Sequence, residues 1–559
     1  MSNSTIEQST KELIDALKQS CGSYGLGNDG NEYKIIVQVF LYKYFNDKFG
    51  HEAKQVKAQD YGKRLATAPK WDAAYDKFSE EEVEDLFSYL PPSTPKLKPH
   101  QTIAHLYNAM NQGDFSVLFD STLREIAALN TDIFSIETDA KSKIAVFDNS
   151  LIATTINDPT RRDDFARSLM RRIADPKANF EPMFSEKYDF FSTMFEHLIK
   201  DYNKDGGGKY AEYYTPRSIA QIMARLLVGR DTELRGVTCY DPSAGSGTLL
   251  MALAHQIGEN RCSIYSQDIS QKSSQMLRLN LILNNLAASI QNVVQGNTLL
   301  NPGHRTPDGK IRRFDFCISN PPFKLDFPEE REAVAKDTVR FWAGVPKAPE
   351  KQKPKPTMKI FLCFIQHLLY SLTDKGKGAI VLPTGFLTSA KRSDGIAYAI
   401  RERIVDQHIV YGCVSMPSNV FATTGTNVSV LFFDNSRKAD KVVLIDASKL
   451  GEEYKDGNNQ RTRLRDFEIE KIVDTFLDQK AEDGFSAVVS HDEIKAKGYT
   501  LSAGQYFDVK IEYVPITADE FAKKIADFTS RLAELNAEGA KLDEEIAKHL
   551  SSLKFVEKR

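Results

Sequence analysis

Four consecutive residues in the middle of the chain combine side chains that could act on a ligand: Asn320, Pro321, Pro322 and Phe323. They follow an apolar, β-prone run at 314–319, which predicts a buried strand. The two prolines end that strand in a rigid turn, because proline donates no backbone N–H and has a fixed φ. The amide and the aromatic ring would then lie at the carboxyl end of a strand, where open α/β sheets bind ligands. A plain solvent-facing turn is the alternative for these four residues taken alone.

A turn with two glycines is the second candidate site, and it follows a predicted strand at 236–240. Its residues are Asp241, Pro242, Ser243, Ala244, Gly245, Ser246, Gly247 and Thr248. A strand, a Gly-x-Gly turn and an apolar helix form the first turn of a nucleotide-binding α/β fold, in which the backbone approaches the ligand closely. The acidic strand end and the absence of a third glycine distinguish this turn from the dinucleotide-binding fingerprint.

Two more predicted strands also end in polar residues. The strand at 262–267 is followed by Asp268, and an acidic residue at this place in the fold receives ribose hydroxyls. The run at 290–295 is followed by Gly296 and Asn297. Four strands at a spacing of roughly 25 residues, each followed by a turn, predict repeated βα units and therefore an α/β fold.

A further candidate segment precedes this sheet. It consists of Glu212, Tyr213, Tyr214, Thr215, Pro216 and Arg217. Thr215 and Pro216 predict the N-cap and the first residue of a helix that extends to 228, and the free N–H groups of a helix start suit a carboxylate. The preceding loop at 206–209 ends in Gly-Lys, but it lacks the frame of a phosphate-binding P-loop, and no strand leads into it.

The composition is that of a globular protein without a strong net charge. The chain has 559 residues, of which 41% are hydrophobic and 27% charged, and its net charge is −3. The lack of a long apolar run and of a signal-peptide pattern predicts a cytoplasmic protein without a membrane segment. Six scattered cysteines without a C-x-x-C pair favour free thiols over a zinc or disulfide framework. Binding to nucleic acid would require a local basic patch or a partner.

The patterning predicts three regions. Residues 1–180 form a helical domain without a chemical motif, and residues 181–455 contain the strands and the candidate site, with the sheet ending near 447. Residues 456–559 are polar and helical, and their last helix begins with a capping box at 517–520. The apolar residues of that helix are spaced mostly by four and three, which predicts a narrow seam that packs against a helix of this chain or another.

A proline-rich basic segment follows the Asn320 turn, and it is not expected to fold as a helix. Between 335 and 359 it has two acidic residues and seven basic ones: Lys336, Arg340, Lys347, Lys351, Lys353, Lys355 and Lys359. Such a segment is either a solvated loop or, this close to the candidate site, a contact for the phosphate backbone of a nucleic acid.

Three of these segments, in this order, resemble the motifs of amino-group DNA methyltransferases: 213–216, 241–247 and 320–323. Over nearly its whole length the chain is similar to the modification subunit of type I restriction-modification systems. The resemblance implies a Rossmann-like methyltransferase sheet with an N-terminal helical domain and a C-terminal helical tail. It also implies an enzyme that transfers a methyl group from S-adenosylmethionine (AdoMet) to adenine N6 in double-stranded DNA, and so protects host DNA.

The resemblance further implies how AdoMet is bound. The segment at 212–217, notably Thr215, would contact the methionine end, and the turn from Asp241 to Thr248 would line the same pocket. Asp268 would receive the ribose hydroxyls. The family usually has Asp where this chain has Asn297, so an amide oxygen would accept the adenine amine, without charge assistance.

For the target adenine, the resemblance assigns the Asn320 side-chain oxygen and the Pro321 carbonyl as acceptors of the two amino hydrogens. They would place the nitrogen in line with the methyl group, so that positioning and electrostatics carry the rate. Pro322 would stiffen the turn. The base must leave the duplex to reach this site, and Phe323 would stack on it.

The partners implied by the resemblance are double-stranded DNA, a DNA-specificity subunit and a restriction and translocase subunit. Two modification subunits would assemble with one specificity subunit, on which residues 456–559 would dock. Two other functions remain open at this point. A protein-glutamine or RNA amino-group methyltransferase would need neither the helical start nor the docking helix, and its motif usually ends in Tyr. A non-catalytic scaffold of the same fold would have no need of Asn320, Asp241 and Asp268.

Overall fold

The computed structural model describes most of the chain, namely residues 3–27, 30–131, 136–137, 143–144, 147, 150–181, 184, 215–325, 328–347, 358–421, 427–437, 439–456, 459–507 and 516–552. Glu212, Tyr213 and Tyr214 of the candidate site lie outside these residues, as do the loop at 206–209 and residues 348–357 of the basic segment. The chain divides into two units, Met1–Phe507 and Asp508–Arg559. Within the described ranges, no helix has the length and apolar character needed to cross a membrane.

The first part of the larger unit is mainly helical, as the sequence predicts. Its helices are α1 Asn3–Ser23, α2 Gly30–Ala53, α3 Tyr61–Ala66, α4 Trp71–Tyr75, α5 Glu80–Tyr89, α6 Ile103–Ala109, α7 Phe115–Leu129, α8 Leu151–Thr155 and α9 Pro159–Ile173. Two short strands, β1 Ile136–Glu137 and β2 Lys143–Ile144, pair between α7 and α8. Helix α2 is buried nearly all round, since large aromatic residues such as Phe40 and Phe45 recur along it.

These helices share a hydrophobic core with one face of the sheet that follows. The hydroxyl group of Tyr44, on α2, donates to the carbonyl oxygens of Ile282 and Leu283 at 3.3 Å each. The helical region and the sheet are therefore packed together and do not form two separate cores.

The sheet has nine strands within the described residues. Their bounds are β3 Val237–Asp241, β4 Cys262–Asp268, β5 Val293–Gln295, β6 Phe314–Ser319, β7 Leu372–Pro383, β8 Val410–Ser415, β9 Val428–Asp434, β10 Val442–Asp446 and β13 Ser486–Val489, with the hairpin β11 Glu452–Asp456 and β12 Asn459–Arg463 outside the sheet. The order across the sheet is β13-β10-β8-β9-β7-β6-β3-β4-β5. Strand β9 runs antiparallel between β7 and β8.

The strand order reverses between β3 and β6. From β3 the chain passes through β4 to the edge strand β5, and then returns to β6 on the other side of β3, with all four strands parallel. Open α/β sheets bind ligands beyond the carboxyl ends of the strands at such a switch point. Asp241 ends β3 and Asn320 follows β6, so the two candidate sites lie next to each other.

Helices cover both faces of the sheet. They are α10 Arg217–Val228, α11 Thr248–Ile257, α12 Gln271–Leu283, α13 Pro328–Ala335, α14 Phe361–Tyr370, α15 Gly395–Asp406, α16 Asp466–Leu477 and α17 His491–Ala496. Successive residues of a strand point to opposite faces. On β6, Ile318 belongs to the core formed with α10, α11 and α12, whereas Cys317 belongs to the core formed with α14 and α15. Burial on both faces explains why four of the six residues of this strand are apolar.

The expectation that the sheet ends near residue 447 is wrong. Strand β13 pairs antiparallel with β10 and forms the edge of the sheet, and it belongs to the larger unit, which continues to Phe507. The predicted boundary between 455 and 456 falls inside the β11–β12 hairpin. The prediction missed these strands because the hairpin consists mostly of polar residues and β13 is only four residues long. Such short strands carry little periodic signal.

The smaller unit contains one long helix, α18 Ala518–Ser552, of 35 residues. The predicted capping box is confirmed, since Thr517 Oγ1 accepts from the Glu520 N–H at 3.3 Å and the Thr517 N–H donates to the Glu520 carboxylate at 2.9 Å. Its large apolar side chains are 48–67% exposed, and they are Phe521, Ile525, Phe528, Leu532, Leu535, Leu542, Ile546 and Leu550. They form the predicted seam along one side of the helix.

Candidate active site

A cavity of about 540 Å³ lies at the carboxyl ends of β3, β4 and β6. It brings together residues from all three candidate segments that the structure describes. The predicted residues that line it are Thr215, Asp241, Ser243, Gly245, Asp268, Asn297, Asn320, Pro321, Pro322 and Phe323. These residues are far apart in the chain, and the switch point of the sheet is what places them around one space.

Asp241 is a fully buried carboxylate at the end of β3. Its Oδ1 accepts from the Ser243 N–H at 2.9 Å, and the Ser243 hydroxyl group lies 2.7 Å from that of Ser319, so the turn is tied to the end of β6. Burial raises the pKa of Asp241 to about 7, and the nearby charge of Asp268 acts in the same direction. A carboxylate in this environment is stabilised in its charged form by a cation.

Asp268 ends β4, and its two oxygens each hold one backbone N–H. Oδ2 accepts from Gly245 at 2.9 Å, and Oδ1 accepts from Ser270 at 2.8 Å. Burial raises the pKa of Asp268, while these two hydrogen bonds oppose the increase. A carboxylate oxygen can accept two hydrogen bonds, so both oxygens keep capacity for hydroxyl groups of a ligand.

Asn297 lies in the loop after β5, and its side chain caps that loop. Its Oδ1 accepts from the N–H groups of Leu299 at 3.1 Å and Leu300 at 3.3 Å. A backbone N–H can only donate, so these bonds define which side of the amide carries the oxygen. The bond predicted from this oxygen to an adenine amine would compete with both of them.

Asn320 is hydrogen-bonded to Thr215, which also lines the cavity. Its Nδ2 donates to Thr215 Oγ1 at 3.2 Å. Among the described residues, the side-chain Oδ1 has no hydrogen-bond partner, and it is available to accept from a ligand. Pro321 follows in the turn and also lines the cavity, and its carbonyl group is a second possible acceptor.

Phe323 packs against another aromatic residue, Phe361. Its ring is T-shaped to that of Phe361, with centroids 6.3 Å apart, and Phe361 is T-shaped to Phe386 at 6.2 Å. Phe364 and Phe421 also line the cavity. Sequence reasoning did not single out these supporting rings, because within apolar runs they are indistinguishable from core residues.

The predicted N-cap of α10 is wrong by one residue. The helix begins at Arg217 with Pro216 as its N-cap, and Thr215 bonds Asn320 instead of the helix. Pro216 and Arg217 do not line the cavity, although Arg217 lines a smaller cavity between α10, α11 and α16 together with Thr248.

The last part of the glycine turn packs against α12 and does not line the large cavity. The Asn280 amide donates to the Ser246 carbonyl at 3.0 Å, and the Ser246 and Thr248 hydroxyl groups lie 3.1 Å apart. Gly247 has a φ of +85°, and a Cβ atom there would lie 2.1 Å from Leu277 Cδ1. These contacts explain the sequence of the turn through packing, and a role in cofactor binding stays a prediction for these three residues.

The basic segment does not present all its charges to solvent. Arg340 is 3% exposed, and the Lys359 ammonium group pairs with Asp394 at 2.8 Å. Lys336 and Lys347 are exposed. Of the described residues of the segment only Ala335 belongs to a helix, α13, so the expectation that the segment does not fold as a helix is confirmed, whereas the buried Arg340 shows that it is not solvated throughout.

Comparison with known proteins agrees with this architecture. The family model described as N-6 DNA Methylase matches residues 186–513, which is more than half of the chain. The chain belongs to the N-6 DNA methylase family. This confirms the family resemblance, and the predicted Rossmann-like methyltransferase sheet with helical regions at both ends is the fold observed.

Members of this family that resemble the chain include methylase subunits of type I restriction enzymes. The MpnII methylase subunit of Mycoplasma pneumoniae is 29% identical over 361 residues, covering 62% of this chain and 63% of that protein. The MjaIX methylase subunit of Methanocaldococcus jannaschii is 28% identical, with 66% and 64% covered. The match thus spans somewhat less than two thirds of these relatives.

Two solved structures support the fold. The methyltransferase subunit of a type I restriction-modification system from Streptococcus thermophilus has a TM-score of 0.68 at 21% identity, covering 91% of this chain and all of that one. A modification subunit of a putative type I restriction enzyme from Vibrio vulnificus has a TM-score of 0.51 at 16% identity, covering 89% and 96%. At these identities the likeness concerns the fold.

Proposed function

We propose that this protein transfers a methyl group from AdoMet to N6 of adenine in double-stranded DNA, as the modification subunit of a type I restriction-modification complex that protects host DNA. The observation that carries the proposal is the arrangement of Asn320. Its amide oxygen, which has no hydrogen-bond partner among the residues that the structure describes, lies at the switch point of a methyltransferase-type sheet, in the same cavity as the carboxylates of Asp241 and Asp268.

The cavity fits AdoMet in size and chemistry. A volume of about 540 Å³ is within the range that holds a nucleoside-sized ligand. The oxygens of Asp268 suit ribose hydroxyls, and the buried carboxylate of Asp241 suits a positively charged ligand. Thr215 lines the same cavity, within hydrogen-bond distance of Asn320. When bound, AdoMet supplies an electrophilic methyl group on a sulfonium centre.

Asn320 and Pro321 would prepare the adenine amine for reaction. The amine is a poor nucleophile because its lone pair is delocalised into the ring. Two acceptors that bind its two hydrogens favour a pyramidal nitrogen and fix its direction, so positioning and electrostatics lower the barrier without a side-chain base. The hydrogen bond to Thr215 supports this role, since it restrains the Asn320 side chain and is made by the NH₂ side, which leaves the oxygen for the amine.

The target base would be held outside the duplex. An enzyme that acts on a base atom within DNA must extrude the nucleotide and support it in a pocket. Phe323 offers a stacking surface, and its contact with Phe361 restrains the ring. Pro322, which is exposed at the mouth of the cavity, stiffens the turn that carries these groups.

The protein would act together with other subunits of the complex. We infer that α18 docks on a DNA-specificity subunit, with two modification subunits for one specificity subunit, and that restriction and translocase subunits join them in the cytoplasm. The exposed seam from Phe521 to Leu550 supports docking, because a helix with such a stripe is stable when a facing helix covers it. A net charge of −3 agrees with DNA recognition that depends largely on a partner subunit.

The test is to co-express the protein with its specificity subunit in a methylation-free host and to map modified bases in the host DNA. We expect N6-methyladenine at one sequence motif, and none when Asn320 is replaced by alanine. Methylation of RNA or of protein glutamine, with unmodified DNA, would contradict the proposal. Failure of the purified chain to bind labelled AdoMet would favour the non-catalytic scaffold.

A further inference from the structure

Arg340 is a buried cation that binds the loop carrying Asn297. Its Nη1 donates to the Thr298 carbonyl oxygen at 3.1 Å, its Nη2 donates to the Leu299 carbonyl oxygen, and its Nε donates to Asp337 Oδ2 at 3.0 Å. Thr298 and Leu299 line the large cavity beside Asn297. A single side chain therefore fixes the backbone of this wall.

The same loop is bonded to the turn after β3. Thr298 Oγ1 donates to the Pro242 carbonyl oxygen at 2.7 Å, directly next to Asp241. Two groups of Thr298 thus connect Arg340 to the glycine turn: its carbonyl faces the guanidinium and its hydroxyl faces the turn. Displacement of the guanidinium would loosen a loop that contacts two sides of the cavity.

A neutral histidine also accepts a hydrogen bond from the guanidinium group. Arg340 Nη1 lies 3.3 Å from His367 Nδ1, and since a guanidinium can only donate, Nδ1 accepts. Burial lowers the pKa of His367 to about 3, and the charge of Arg340 adds to this effect, so the ring is neutral. Its proton is then on Nε2, which lies 3.2 Å from the Tyr240 hydroxyl oxygen. Tyr240 precedes Asp241 on β3.

We propose that Arg340 is a positioning residue for the cofactor, which holds the loop from Asn297 to Leu299 against the adenine end of AdoMet. This inference rests on the proposed function. Arg340 lies in the segment that follows the Asn320 turn. It therefore connects the segment after the proposed target-base site to the wall of the proposed cofactor site. Its action is through the two carbonyl groups and not through contact with AdoMet.

Arg401 provides a matched control, because it is buried in a similar way. It is 1% exposed and donates to the carbonyl oxygens of Phe386, Ser389 and Tyr499. None of these three residues lines the large cavity. Replacement of either arginine by lysine removes the planar fork of donors and leaves a charge in place. A loss of stability alone would weaken AdoMet binding in both variants. A positioning role predicts weaker binding only in Arg340→Lys.

The experiment measures AdoMet binding by calorimetry and thermal unfolding for the full-length wild type, Arg340→Lys and Arg401→Lys. We expect Arg340→Lys to raise the Kd for AdoMet about tenfold, and Arg401→Lys to leave it within about twofold of the wild type. The Tm should decrease by a similar amount in both variants. In the assembled complex, Arg340→Lys should raise the KM for AdoMet and largely preserve kcat at saturating AdoMet, as loss of uniform binding predicts.

Thr298→Val keeps the inference testable if Arg340→Lys unfolds. It removes the hydroxyl bond to Pro242 without burying a charge, and we expect a several-fold increase in the Kd for AdoMet. An unchanged Kd in Thr298→Val and Arg340→Lys, or equal increases in the two arginine variants, would overturn the positioning role. If the wild type bound no AdoMet, the proposed function would fail as well, and the two failures are therefore distinguishable.

Discussion

The Nδ2 of Asn320 donates to Thr215 Oγ1 over 3.2 Å, across the cavity that separates the end of β6 from the start of α10. An asparagine amide can turn over and exchange its donor and acceptor sides, and only one orientation offers oxygen to an amine. In the structure the NH₂ side makes the bond to the threonine hydroxyl group, which leaves the oxygen for an amine. The candidate site therefore includes a residue outside the Asn-Pro-Pro-Phe motif.

Replacement of Asn320 should abolish catalysis and preserve cofactor binding. We expect Asn320→Ala to lower kcat by about 10³-fold, since it removes an acceptor that acts on the reacting amine. AdoMet binding, measured by calorimetry, should stay within about twofold of the wild type. Asn320→Asp, which keeps an acceptor, should retain more activity than Asn320→Ala. Equal losses in the two variants would argue against the acceptor role.

Replacement of Thr215 tests the orientation of the amide. Thr215→Val removes the partner of Asn320 Nδ2 at nearly constant volume, and we expect kcat to fall about tenfold because the Asn320 side chain loses the bond that restrains it. Thr215→Ser keeps the hydroxyl group and should retain most of the activity. Single-turnover methylation by the assembled complex measures both. If valine and serine behaved alike, the hydrogen bond would have no part in catalysis.

AdoMet affinity should increase with pH up to about 7, because the pKa of Asp241 in the ligand-free protein is raised to about 7. A bound cation favours the ionised carboxylate, so binding below that pH must release a proton. Calorimetry in buffers of different ionisation enthalpy measures the release. Asp241→Asn should bind more weakly and without this pH dependence. A wild-type Kd that is constant from pH 6 to pH 8 would contradict the assignment.

The same pKa predicts how stability changes with pH. Protonated Asp241 is the form that the buried site favours, so its stabilising contribution is fully present below its unfolded pKa of about 4 and is lost as the pH rises through about 7. Ligand-free Asp241→Asn should therefore exceed the wild type in unfolding free energy at pH 8, by up to about 4 kcal/mol. Urea unfolding at pH 5 and pH 8 measures the difference. A wild type that remained the more stable protein at pH 8 would contradict this.

Asn297→Asp should strengthen AdoMet binding about fivefold. An aspartate would keep one oxygen for the N–H groups of Leu299 and Leu300 and offer the other, with charge assistance, to the adenine amine. The N–H groups of Leu299 and Leu300 would then no longer compete with the adenine amine for a single oxygen. The Kd from calorimetry decides the matter. Weaker binding by the aspartate would indicate that the asparagine NH₂ group donates to the ligand instead.

A charge in the seam of α18 should prevent assembly. Leu532 is 60% exposed in this chain, and we expect Leu532→Asp to abolish co-purification with the specificity subunit, because a buried carboxylate in a helix seam is costly. Ser530→Asp, on the opposite side of the helix, serves as the matched control and should assemble normally. AdoMet binding should be equal in both variants. Assembly of Leu532→Asp at wild-type yield would exclude the seam as the docking surface.

Much of the fold and the site could be predicted because its signals are local in the chain. The strands before Asp241, Asp268 and Asn320 could be predicted because β-prone runs end there in a polar residue, and the prolines after Asp241 and Asn320 mark the turns that follow. The capping box at 517–520 and the seam of α18 are likewise encoded in short, regular spacings. The edge strand β13 and the β11–β12 hairpin have no such spacing, and they were missed.

Only the tertiary structure decided which of these local elements become neighbours. The reversal of strand order places Asp241 beside Asn320, and the packing of α10 brings Thr215 to the amide. In the sequence Arg340 is one basic residue of a basic segment. In the structure it is buried, because the carbonyl groups of Thr298 and Leu299 accept hydrogen bonds from it. A buried charge depends on partners that are distant in sequence, and a linear pattern does not record them. The sequence determined the chemical groups of the site, and the fold determined their orientation and support.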